Sequence, residues 1–142
     1  MQSLNRRQIA DIQLDRAIEL FLDDCDYVSA ITLAGPAESL YAGEAGRRFP
    51  KKDHDRIAIR WVTKTYQWIE RLLGSEIDQT LAISIVNAQR DAFKHYQDGS
   101  DVKADFIYAA WLMIERATEN CRLLGGNPHP RYDDVERALP AR

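Results

Sequence analysis

The sequence predicts an all-α fold, an antiparallel up-and-down bundle of about five helices, and three observations carry that expectation. Apolar residues recur at helical spacing along most of the chain. Clusters of Gly, Pro and Asp cut it into segments of helical length. No period-two run and no Asn-Gly or Asp-Gly hairpin lies between them. With 142 residues, 45% apolar and 29% charged, the chain suits a single domain, 1–142, that buries a real core.

The first helix is expected from about Leu4 to Leu22, where Ala10, Leu14, Ala17, Ile18 and Phe21 share one face. Asp23-Asp24-Cys25-Asp26 ends it, and Asp26 is placed to cap the next helix, about Tyr27 to Tyr41. Gly35-Pro36 inside that helix predicts a kink, because Pro36 cannot donate to the carbonyl of Thr32. Residues 43–52, GEAGRRFPKK, read as an irregular loop. The third helix spans about Asp53 to Gly74, with Ala58, Val62, Tyr66, Ile69 and Leu73 on one face. Ser75-x-x-Asp78 is the weaker Asp form of a capping box and opens a fourth helix that runs to about Gln97. The fifth, about Asp101 to Leu124, carries a core stripe of Phe106, Ala109, Ala110, Met113, Ala117, Cys121 and Leu124. Gly125-Gly126-Asn127-Pro128 terminates it, and the polar tail 125–142 holds one more turn around Asp133 to Leu139.

A net charge of -3 argues against non-specific coating of nucleic acid, which rests on many cations, while leaving room for one short strand at a local basic spot. The only such spot is Arg47, Arg48, Lys51, Lys52, Arg56 and Arg60, diluted by Glu44, Asp53 and Asp55. It reads first as a solvated loop. Cys25 and Cys121 form no CxxC pair and read as reduced thiols. With no apolar segment of membrane-spanning length and no apolar leader, the expectation is a cytoplasmic protein with no membrane partner. No Glu-x-x-His, His-x-x-x-His or Cys/His ligand spacing occurs, and no Gly-rich phosphate loop, so neither a metal nor a cofactor is expected. His54, between two aspartates at a helix start, and His129, between two prolines, fit surface positions.

The fourth helix has one chemically suggestive face. At about 100° per residue, Thr80, Ser84, Asn87, Arg90, Asp91, Lys94 and His95 share a polar arc opposite Leu81, Ile85, Val86 and Phe93. Asn87, Asp91 and His95 stack along one line, whereas Arg90 diverges from His95 by roughly 140°. A single helix therefore cannot aim both at one atom, but two copies facing across a two-fold axis could. The plain alternative is that this arc is the wet side of a helix.

Arg90-Asp91-Ala92-Phe93-Lys94-His95 resembles the motif of the HEPN superfamily: Arg, then Asn, Asp or His, three residues, and His. The segment Asp26 to Leu40, with its small-residue stripe and Glu38, is similar to the early HEPN helix. The resemblance covers about Ala17 to Leu124, and only the six-residue motif is specific. It implies a homodimeric helical protein that binds RNA or cuts it without metal, with Arg90, Asp91 and His95 as catalytic residues and Asn87 and Lys94 as binding residues. His95 would serve as proton acceptor, Arg90 as phosphate-stabilising cation, and Asp91 as orienting group. It also implies an antitoxin-like protein partner for toxin-type members. The alternatives are a non-catalytic module for dimerisation or protein interaction, and a small-molecule pocket between helices.

Overall fold

The computed structural model describes residues 1–50, 101 and 105–138, and all regular structure among them is helical. Helix α1 spans Arg6–Glu19. Asn5 caps it reciprocally: its Oδ1 accepts from the Gln8 amide at 2.8 Å, and Gln8 Oε1 accepts from the Asn5 amide at 2.9 Å. Ala10, Leu14, Ala17 and Ile18 are buried as the spacing requires, while Ile9 and Ile12 on the other side stay exposed. A π-helical turn, Leu20–Asp24, follows and buries Phe21. It closes on Cys25, whose φ of 52° lies in the left-handed region. That conformation costs about 1–2 kcal/mol for a residue with a Cβ.

Asp26 then caps helix α2, Tyr27–Arg48, accepting from the Ser29 amide at 3.0 Å. The helix continues through Pro36, past the expected end at Tyr41 and into the segment read as a loop, so residues 43–48 are helical. Gly43 and Gly46 cost helical stability, but Ala45 between them is fully buried and Glu44 pairs with Arg48 at 3.2 Å. Burial of one face outweighs the two local breakers.

The fifth expected segment is helix α3, Phe106–Leu123, capped by Asp105 Oδ1 accepting from the Tyr108 amide. Its end is a Schellman closure: Gly125, at φ 76°, donates to the Arg122 carbonyl and Gly126 to that of Cys121, each at 2.9 Å. The tail folds into helix α4, Tyr132–Ala138, docked by buried Tyr132 and Val135. The Arg131–Asp23 ion pair at 2.8 Å holds the start of α4 near the π-helical turn.

Cross-helix contacts fix directions. Asp11 in α1 meets Tyr41 in α2, while the earlier Arg6 and Arg7 lie beside the later Arg47 and Arg48, so these helices run antiparallel. Glu38 meets Arg116 and Tyr41 meets Cys121, so α3 runs with α2 and against α1. The core lies between them: Ala30, Ala34, Ala37 and Tyr41 of α2 pack with Ala110, Ile114, Ala117 and Cys121 of α3, and with the apolar face of α1. Helix α3 is the centre, buried at every position from Tyr108 to Cys121. Among the described residues, no helix is long and apolar enough to cross a membrane.

Candidate functional site

Asn87, Arg90, Asp91, Lys94 and His95 lie outside the described residues, as do Lys51, Lys52, Arg56 and Arg60. The described residues present three polar constellations of their own, two buried and one open to solvent.

The first belongs to α3. A one-sided stripe was expected there, yet Glu115, Arg116, Thr118, Glu119 and Asn120 are buried as well. Arg116 Nη2 donates to Glu38 Oε1 at 3.0 Å, with both side chains 8% exposed. The Tyr132 hydroxyl donates to Glu115, and Glu136 Oε1 lies 3.3 Å from the same oxygen. Arg122 pairs with Glu119 at 2.9 Å and lays its guanidinium 4.7 Å from the centre of the Tyr132 ring. Buried charges persist only when paired or hydrogen-bonded, and these pairings tie α2 and α4 to the central helix. This network fixes packing. Among the described residues, its charged groups meet one another and the ring and hydroxyl of Tyr132.

The second constellation joins α1, α2 and α3. The Tyr41 hydroxyl donates to Asp11 Oδ1 at 2.5 Å and also meets the Cys121 thiol. Burial, then the bond to Asp11, pushes the Tyr41 phenol well above its ordinary value. Burial likewise raises the Cys121 thiol, although the Tyr41 contact and Arg7 pull it the other way. A thiol held neutral is a poor nucleophile, so Cys121 is a packing residue. Asp15, on the same helix as Asp11, is also raised by burial, with His129 opposing.

The third constellation is a groove of about 570 Å³ where the start of α1 meets the end of α2, lined among the described residues by Asn5, Arg6, Arg7, Glu44, Arg47 and Arg48. Four arginines and one carboxylate line it. Arg7 Nη1 donates to the Leu124 carbonyl at 3.3 Å, and Arg48 pairs with Glu44. Arg6 and Arg47 are exposed and are matched to no carboxylate among the described residues. Guanidinium forks suit phosphate or carboxylate oxygens, so the groove can hold an anion. Its described lining contains no His, Cys, Ser or Lys.

Sequence reasoning saw Arg47 and Arg48 as part of a basic loop, but nothing in the linear order joins them to Arg6 and Arg7. The signal was the antiparallel pairing of the first two helices, which returns the end of α2 to the start of α1. Among the described residues, no group of three His, Cys, Asp or Glu side chains is placed to hold a metal ion. No family model matches the chain, and neither does any curated protein or solved structure.

Proposed function

We propose that this chain is a HEPN-like cytoplasmic protein that acts as a homodimer to bind single-stranded RNA and cleave it without a metal ion. The observation that carries the reading is the spacing of Arg90, Asp91 and His95 in the sequence of a chain whose described regular structure is all helical. The small-residue stripe of α2 supports it, because Ala30, Ala34 and Ala37 are buried and Glu38 is held by Arg116. The finer architecture is a bundle of about five helices. Strict up-and-down alternation of five helices would set the first and fifth parallel, whereas α3 runs against α1.

In the proposed reaction His95 takes the proton of a ribose 2′-hydroxyl, whose oxygen attacks the adjacent phosphorus. The bond from phosphorus to the 5′-oxygen breaks, leaving a 2′,3′-cyclic phosphate, and that oxygen receives a proton to become a 5′-hydroxyl. Arg90 neutralises the added charge on the phosphorane. Because Arg90 and His95 diverge on one helix, each site draws them from two copies.

The test is cleavage of a labelled RNA in excess chelator by wild type and His95→Ala. Cyclic-phosphate products from wild type alone support the proposal. Equal cleavage by both, or none by either, overturns the catalytic role.

A further inference from the structure

The geometry points to the arginine groove between the start of α1 and the end of α2 as a binding track for the phosphodiester backbone of a single RNA strand. The inference deepens the RNA reading above and rests on it for the choice of ligand, but it uses a different part of the molecule.

Three observations carry it. The groove gathers four arginines around a single carboxylate, a local charge of +3 in a chain whose net charge is -3. Among the described residues, adjacent cations occur only at Arg6-Arg7 and Arg47-Arg48, and both pairs line the groove. Elsewhere among the described residues the arginines are matched to acids: Arg16 to Glu19, Arg116 to Glu38, Arg122 to Glu119, Arg131 to Asp23 and Arg137 to Asp134. Arg6 and Arg47 stand apart from this pattern.

Their placement also runs against local stability. The first turn of a helix favours acidic residues, and α1 has none there but carries Arg6 and Arg7 instead. Arg7 has a structural task at the Leu124 carbonyl, whereas Arg6 projects into solvent. An anion lying in the groove would meet Arg6 and Arg47, the two lining arginines matched to no carboxylate among the described residues. A row of negative charges at phosphate spacing can do so at several points, and the open groove admits a chain as well as a single ion.

The experiment uses the full chain and a fluorescein-labelled oligouridylate of about 12 nucleotides, inside the usual span of such tracks. Binding is followed by anisotropy across a salt series with wild type, Arg6→Ala/Arg47→Ala, and the control Arg16→Ala/Arg137→Ala, which removes equal charge from other surfaces. Each lost phosphate contact should lower the slope of log K against log salt by about 0.7, so the groove variant loses about 1.4 and binds about 25-fold more weakly at 0.1 M salt. The control should change little, because its charges are screened from the groove. Equal binding by wild type and the groove variant overturns the proposal. So does equal weakening by groove and control variants, no binding by wild type, or a polyglutamate that binds as tightly as the oligonucleotide.

His95→Ala separates the two readings. If it abolishes cleavage while the groove variant binds and cuts like wild type, the groove proposal fails and the catalytic one stands. If no variant cuts RNA but the groove variant alone loses binding, the catalytic reading fails and the track stands.

Discussion

Removing Arg116 should destabilise the protein far more than the worth of its ion pair suggests. At 3.0 Å, and with an effective dielectric of about 20, the attraction to Glu38 is about 5.5 kcal/mol. Burying each ion costs several kcal/mol, so the pair as a whole lies near balance. Breaking it is different. Arg116→Met leaves the Glu38 carboxylate 6% exposed with no cation to meet it among the described residues, which costs about 3–5 kcal/mol. Glu38→Gln keeps the shape and an acceptor oxygen, so its loss should be smaller, about 1–3 kcal/mol. The double variant Glu38→Leu/Arg116→Met removes the stranded charge and should recover about 2 kcal/mol relative to Arg116→Met, a coupling typical of residues in direct contact. Urea unfolding at neutral pH, followed by loss of helical signal, measures all three. High salt should leave the values almost unchanged, since a buried pair is poorly screened. An Arg116→Met loss below about 1 kcal/mol, or a double variant no more stable than Arg116→Met, would refute the argument.

Three further perturbations test other parts of the fold. A Cβ on Gly126 would sit 2.5 Å from Cys121 Sγ and 3.0 Å from the Cys121 carbonyl, so Gly126→Ala should cost about 1–3 kcal/mol in urea unfolding, partly relieved when Cys121→Ala is added. The folded-state values of Tyr41 and Cys121 are raised, so their stabilising share is complete below the unfolded values, 10.0 and 9.0, and is lost progressively as pH rises above these toward the folded values. Unfolding midpoints should fall above pH 9, and Tyr41→Phe, weaker at neutral pH by about 1.5–3 kcal/mol for the lost bond to Asp11, should converge on wild type at high pH. Arg6→Glu should stabilise the free protein by about 0.3–1 kcal/mol at low salt through the dipole of α1; a loss of stability would show that Arg6 serves the fold.

Where the sequence was legible, one physical signal dominated. The stripe of α1, the Asp26 cap and the Gly125-Gly126 stop are local: each is decided by residues within about two turns, and each stands where its pattern puts it. The misreadings arose where distant partners decide. Gly43 and Gly46 look like breakers until Ala45 is seen to be fully buried. Glu115, Arg116 and Glu119 look like a wet face, because polar residues on a helix are ordinarily solvated. Their burial depends on Glu38, Tyr132 and Arg122, and the Arg116–Glu38 contact spans 78 positions. Local propensity also hides the capping box of Asn5 and Gln8, which uses Asn and Gln in place of the commoner Ser and Glu. The candidate catalytic residues Arg90, Asp91 and His95 are read from sequence alone.

Net charge is a poor guide to binding when a fold sorts its ions. In this chain most described arginines are spent on carboxylates, as Arg131 is on Asp23, whose carboxyl that hydrogen bond holds below its ordinary value. Paired ions project little field beyond their own contact, because opposite charges a few ångströms apart cancel at a distance. What an approaching strand meets is the unpaired remainder, within about 10 Å at 0.1 M salt. The overall value of -3 excludes a protein that coats nucleic acid at many points. It does not weigh against one groove, since the distant acids are screened while the exposed Arg6 and Arg47 keep their charge toward solvent. Antiparallel packing of α1 and α2 brings them together: each helix contributes two arginines to the groove, and only the fold makes them neighbours. Keeping Arg6 at a helix start that favours an acid has a small stability cost with no compensating contact among the described residues. Such a cost is the expected mark of a residue held in place for a ligand.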